Sequence, residues 1–284
     1  MLNIVQPNIC FIGSSNLSLA LIGGLVLKGF QREKINLIEE VKFENQIILK
    51  QKQHEVKKAD IVVLLLDPKD LKAILAPLKK WLADKTIVSM MAGVNIKQLM
   101  SITGSKKIIR VISNPPVLTY TGTHVLIGSD YLEPLDKEVI ETIYSATGRT
   151  YWANSESQSD AIIALSGSGP AYFFYILDSM VKTGVSMGLD KQFALDLILQ
   201  AASGAVEMVR KSNVQPSELC GKVTLANGIT ESALRMFELG NLSDDIRLAL
   251  KAAYHRRALL HKDLKCKAPL IEPNLRRNLG KWST

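Results

Sequence analysis

Through its first half the chain alternates short β-branched runs with amphipathic segments, and from Asp160 onward the strand pattern stops altogether. Such alternation is the pattern of a parallel sheet wrapped by helices, because each parallel strand needs a long crossover before the next. Strands are predicted at Asn8 to Ile12, Lys34 to Ile38, Asp60 to Leu65, Thr86 to Met90, Lys107 to Val111 and Val125 to Ile127. Helices are predicted between them at Asn16 to Lys28, Phe43 to Gln53, Pro68 to Trp81, Asn95 to Ser101 and Leu135 to Ala146. The second half reads as helix only, at Pro170 to Gly184, Lys191 to Lys211, Glu231 to Leu239 and Ser243 to His261. The expected fold class is α/β: an N-terminal Rossmann-type, doubly wound parallel sheet followed by an all-α domain. A polar break at Asn154 to Ser157 divides residues 1–153 from residues 154–284, whose end is a basic tail expected to fray.

A chain of 284 residues with 47% hydrophobic content can bury two such cores. The helix after Pro170 is apolar nearly all round, so a second copy is its natural cover, as a homodimer or a higher oligomer of dimers. The net charge of +8 is scattered, densest at Lys50 to Lys58, Arg256 to Lys267 and Arg276 to Lys281. Without interleaved aromatics these groups predict a solvated surface and no nucleic-acid partner. Cys10, Cys220 and Cys266 show no pairing pattern, which fits a reducing cytoplasm. The longest apolar run, Ile61 to Leu66, is a strand's length, and Met1 to Cys10 lacks the layout of an export signal, so no membrane partner is expected. His54, His124, His255 and His261 have no zinc spacing, and neither a Walker loop nor a nucleophile elbow is present, so no metal is expected.

After the first strand come Gly13, Ser14, Ser15, Asn16, Leu17 and Ser18. A dinucleotide loop needs a first glycine for the turn, a second where the backbone meets the pyrophosphate, and a small third residue for helix packing. Gly13 supplies the first and Ser18 serves as the third, but Ser15 stands at the second. Its Cβ either pushes the pyrophosphate back or lets the hydroxyl donate a substitute hydrogen bond. At the end of the second strand Glu39 and Glu40 either accept hydrogen bonds from ribose hydroxyls or form a solvated turn.

Ala164 to Tyr172, A-L-S-G-S-G-P-A-Y, runs straight into the apolar segment Phe173 to Val181. Gly167 and Gly169 allow positive φ and a close approach to a ligand, and Pro170 suits a first helical turn. This segment resembles the pyrroline-5-carboxylate reductase family, and the resemblance extends from about Asn8 to about Leu260. Gly13 to Ser18 resembles that family's G-x-G-N-M-A. Asp67 and Pro68 resemble its A-V-K-P loop, with an acid in place of the lysine. Ser89 to Val94, including Ala92 and Gly93, resembles S-x-A-A-G-V. Arg110 to Pro116 resembles R-V-M-P-N-T-P and retains Asn114 and Pro116 beside the nicotinamide. Val223 to Glu231 resembles V-T-S-P-G-G-T-T, a loop that holds the substrate carboxylate at a helix start; Gly228 and Thr230 are retained, Asn227 is changed and Glu231 is added.

The resemblance implies reduction of 1-pyrroline-5-carboxylate to L-proline with NAD(H) or NADP(H). Glu39 and Glu40 would repel a 2′-phosphate, which favours NADH. Ser168 and Gly169 are expected to line the substrate pocket, with Asn227, Gly228 and Thr230 at its carboxylate end. Thr230 is the candidate for orienting the imine or relaying its proton; alternatively it is the N-cap of the following helix. Two rival readings follow from the altered loops: an imine reductase of different substrate range, and a catalytically silent paralogue that keeps the dimeric scaffold for binding or regulation. The β-hydroxyacid dehydrogenases, which share the two-domain plan, carry a lysine where this chain has Phe173.

Overall fold

The computed structural model describes residues 6–43, 46–49 and 53–263. Its first half runs β1 (Ile9–Ile12), α1 (Asn16–Leu27), β2 (Ile35–Ile38), β3 (Glu40–Phe43), β4 (Gln46–Leu49), α2 (Gln53–Lys58), β5 (Ile61–Leu64), α3 (Leu71–Leu75), α4 (Lys79–Leu82), β6 (Thr86–Ser89), α5 (Ile96–Thr103), β7 (Ile108–Ser113), β8 (Gly122–Gly128), α6 (Pro134–Ser145) and β9 (Gly148–Trp152). Seven strands form one sheet in the order β2-β1-β5-β6-β7-β8-β9, parallel at every pairing except β7 with β8. β1 and β5 are buried at all four positions, as strands covered on both faces must be. Successive side chains feed opposite cores. Cys10, Ile12, Val62 and Leu64 pack with Val56, Leu75 and Leu99 on one face, while Ile9, Phe11, Ile61 and Val63 pack with Leu21, Leu25 and Ile140 on the other.

Two expectations are corrected in this half. The helix predicted at Phe43 to Gln53 is instead the antiparallel pair β3 and β4, with Phe43 opposite Gln46, followed by the short α2. The apolar spacing of Phe43, Ile47 and Ile48 fits a helix and a strand equally, and the β-branched pair resolves to strand. The helix predicted at Pro68 to Trp81 is divided by a 3₁₀ turn at Ala76–Leu78, because Pro77 has no N–H to continue an α ladder. β9, for which no element was predicted, is the seventh strand, alternating half-buried and exposed on the sheet's edge. Gly148 makes that pairing possible, since a Cβ there would collide with the Gly122 carbonyl.

The second half contains α7 (Ser159–Ile162), α8 (Gly169–Ser186), α9 (Lys191–Ser212), α10 (Pro216–Lys222), α11 (Ile229–Leu239) and α12 (Leu242–Asp263). The expected bare loop with positive φ at Gly167 and Gly169 is corrected: a π turn at Ile163–Gly167 joins α7 to α8, and neither glycine has positive φ. The Ser168 N–H reaches back five residues to the Ile163 carbonyl at 2.9 Å, and the Tyr172 hydroxyl donates to the Ala164 carbonyl at 3.0 Å. Pro170 leaves the Ser166 carbonyl without its helical donor, and the Asn114 side-chain amide supplies one at 3.3 Å. The helical path Glu156–Ser186 is long and apolar enough to cross a membrane by length and composition alone. Phe173, Phe174, Tyr175 and Ile176 are all exposed on it, and α8 buries only Gly169 and Val181 within the chain. The predicted basic tail beyond Asp263 lies outside the described residues.

Candidate active site

The turn between β1 and α1 is built around Gly13, whose φ of +100° and contact with the Leu65 carbonyl exclude a side chain. Its N–H donates to the Ile38 carbonyl at 2.9 Å, which brings the end of β2, and the exposed Glu39, beside the loop. Ser15 caps α1: its hydroxyl accepts the Ser18 N–H at 3.3 Å, and the Ser18 hydroxyl accepts the Ser15 N–H at 2.8 Å. Two backbone donors of the loop are thereby engaged, which leaves the Asn16 and Leu17 N–H groups of the first turn to face an anion. Gly24 lets α1 approach Thr147 and Ala146 closely.

At the ends of β5 and β6 the chain supplies two further turns. Asp67 stabilises its own, accepting the Lys69 N–H at 3.0 Å, so this carboxylate has a local structural role next to Pro68. Gly93 takes φ +82° after the exposed Ala92. A cavity of about 290 Å³ opens there, lined by Leu17, Met90, Met91, Ala92, Arg110, Ser113, Ile163, Gly167 and Ser168 among others. It lies at the carboxyl ends of the strands, where open α/β sheets bind ligands, and the π turn forms its far wall.

Arg110 lines both this cavity and a second one of about 330 Å³ bounded by Gly93, Asn95, Glu156 and Asp160. Its guanidinium is buried and paired with Glu156 at 2.7 Å, and Glu156 also accepts the Ile96 N–H at 3.0 Å. The pair therefore fastens the start of the helical half to β7 and to the N-terminus of α5. Asn114 works the same seam: besides holding the Ser166 carbonyl, it accepts the Thr123 N–H at 2.8 Å. Opposite Ser113 on β8, the fully buried His124 bonds the Ser113 hydroxyl through Nδ1 at 2.7 Å and the Thr147 hydroxyl through Nε2 at 3.0 Å. Burial holds the His124 pKa down to about 4.

The loop before α11 stands apart from these cavities, neither of which is lined by any residue of 223–231. Asn227 has φ +58°, and its N–H donates to the Glu231 carboxylate at 2.6 Å. The N-cap of α11 is Gly228, so Thr230 is not the cap and lies exposed in the first turn.

Residues 156–260 match the pyrroline-5-carboxylate reductase dimerisation family, and residues 8–93 match the coenzyme F420-dependent NADP oxidoreductase family. The chain is 34% identical to a pyrroline-5-carboxylate reductase of Pseudomonas aeruginosa, over 91% of this chain and 98% of that one. The chain belongs to the pyrroline-5-carboxylate reductase family. A Haemophilus influenzae reductase is 31% identical over 87% of this chain and 95% of its own length. Among solved structures, a pyrroline-5-carboxylate reductase from Coxiella burnetii superposes with a TM-score of 0.82 at 29% identity, covering 90% of this chain and 99% of that chain. A Plasmodium falciparum pyrroline carboxylate reductase with NADP bound gives 0.78 at 26% identity, covering 90% and 98%.

Within this family member, sequence reasoning passed over Ser113, His124, Arg110 and Glu156. Ser113 and His124 lie eleven residues apart, and only the β7–β8 register makes them neighbours. Arg110 sat inside a quoted motif, where a buried charge on an otherwise apolar strand signals an obligatory partner. A nicotinamide dinucleotide fits the residues present: Gly13 turns the chain tightly against the Leu65 carbonyl, and the first-turn N–H groups of Asn16 and Leu17 are left for a phosphate, with the cavity that Leu17 lines at the strand ends.

Proposed function

We propose that this protein reduces 1-pyrroline-5-carboxylate to L-proline with NADH as the preferred hydride donor, working in the cytoplasm as a homodimer or an oligomer of dimers. The observation that carries the reading is the end-to-end likeness to pyrroline-5-carboxylate reductases, together with a cavity walled by both halves of the chain at the strand ends. Gly13, Ser14, Ser15, Asn16 and Leu17 would hold the pyrophosphate and Glu39 the ribose, with Asp67, Pro68, Ala92 and Gly93 as further cofactor contacts and Asn114 shaping the loop beside the nicotinamide. A nicotinamide nucleotide held there would supply the hydride that the imine carbon needs. Positioning against a protonated imine needs no strong catalytic acid. Ser168 lines the cavity, whereas Gly169, expected beside it, is buried and Gly167 takes its place in the wall. Asn227, Gly228 and Thr230 would grip the carboxylate and orient the imine. Their loop lines neither cavity within the chain, and delivery by a second copy would tie activity to the dimer.

Titration with NADH and NADPH, followed by turnover of 1-pyrroline-5-carboxylate, tests this directly. Saturable binding and proline formation are expected, and no saturable binding of either nucleotide would overturn the reading. A second reading, an imine reductase of altered range, is favoured by one observation: the Glu231 carboxylate already occupies the Asn227 N–H in the anion-binding loop. Equal turnover of cyclic imines with and without a carboxylate would select it over proline synthesis.

A further inference from the structure

Ser113 ends β7 and is one of the residues that line the cavity at the strand ends, together with Met90, Gly167 and Ser168. In the R-V-M-P-N-T-P pattern a proline stands at this position, so the pattern itself supplies no hydroxyl. Here the hydroxyl is not free to rotate. The Thr147 oxygen lies 3.0 Å from His124 Nε2 and 3.4 Å from the Tyr144 carbonyl; we assign its proton to the carbonyl, which makes His124 Nε2 the donor at the Thr147 oxygen. A neutral imidazole with its proton on Nε2 leaves Nδ1 as an acceptor, and the Ser113 O–H must point at it across 2.7 Å. The remaining lone pairs of the Ser113 oxygen are what the cavity receives. Burial keeps His124 neutral over the working range, so one of its ring nitrogens remains an acceptor. The chain of bonds ends in the core, at the fully buried Thr147 and Tyr144, so it has no outlet for a proton and serves to orient rather than to relay.

We propose that Ser113 is a positioning residue for the nicotinamide ring, its His124-locked oxygen accepting a hydrogen bond from the carboxamide N–H of the cofactor. The inference rests on the nicotinamide-dependent function proposed above. The shared chemistry is a planar N–H donor, which a protonated cyclic imine also carries. Ser113 lies at the end of a sheet strand, where the dinucleotide is expected, and this favours the carboxamide.

The test compares the dissociation constants of NAD+ and of its 3-acetylpyridine analogue, which keeps the ring carbonyl but has no N–H. The unsubstituted protein is expected to bind NAD+ about fivefold more tightly than the analogue, the worth of one neutral hydrogen bond. Ser113→Ala should bind both equally, and Ser113→Thr, which keeps a hydroxyl, should restore the preference. A preference that survives Ser113→Ala, or one lost equally in Ser113→Thr, would overturn the proposal. So would unchanged nucleotide binding in Ser113→Ala accompanied by a raised KM for the imine, which would assign the oxygen to the substrate. An imidazole nitrogen spectrum showing the His124 proton on Nδ1 would also overturn it, because the hydroxyl would then face the cavity as a donor. Failure of the unsubstituted protein to bind any nicotinamide nucleotide would instead remove the underlying function, and this inference with it.

Discussion

Glu39 follows the carbonyl that receives the Gly13 N–H, and on the seating of the dinucleotide proposed above its carboxylate would meet the ribose. A 2′-phosphate there meets a like charge at a cost of about 1 kcal/mol, while a 2′-hydroxyl gains an acceptor. NADH should therefore bind more tightly than NADPH, and Glu39→Ser should narrow or reverse the gap, as nucleotide fluorescence titration will show. His124 makes a second residue-level prediction. Its pKa is depressed from 6.5 to about 4 in the folded protein, so unfolded chains take up a proton that folded ones do not. The stabilisation is complete above pH 6.5, falls as the pH drops, and is gone below about 4. Urea unfolding at pH 7 and pH 5 should show a loss of about 2 kcal/mol from this group. His124→Asn should flatten that loss.

At the scale of elements, the sequence disclosed what depends on local chemistry and concealed what depends on distant partners. The central strands were legible because Ile61 to Leu64 is apolar without interruption, and α1 because a glycine turn precedes it. The π turn was not, since it requires a hydroxyl from Tyr172 and an amide from Asn114, fifty-two residues before the carbonyl it serves. The nucleotide loop was found from its own spacing, whereas the Ser113–His124 pair needed the strand register. The same distinction applies to Arg110 and Glu156, which join β7 to the first helical residues. Glu156→Ala would leave a buried guanidinium without its charge partner. With Glu156 itself partly open to water, the expected cost is about 2 kcal/mol. The loss should appear in urea unfolding, together with faster hydrogen exchange at the Ile96 amide whose acceptor is removed.

For the whole molecule, the exposed apolar surface and the detached loop point to the same assembly. Phe173, Phe174, Tyr175 and Ile176 form a patch too large and too aromatic for a solvated helix, within the segment that matches the dimerisation family. A stable monomer at micromolar concentration in light scattering would defeat the homodimer. The stronger test asks whether each site is shared. Asn16→Glu puts a carboxylate at the exposed start of α1, where the helix dipole favours it for folding but where it repels a pyrophosphate. Thr230→Ala removes the hydroxyl from the exposed first turn of α11. Each variant alone should lose most turnover. If one subunit provides the cavity and its partner the Thr230 loop, a mixed dimer of the two contains one site with neither lesion. Random reassociation makes half of the dimers mixed, so an equal mixture should recover about a quarter of the unsubstituted activity. No recovery in a mixture shown to exchange subunits would mean that Thr230 acts within its own chain, and that α11 must move to bring it to the cavity.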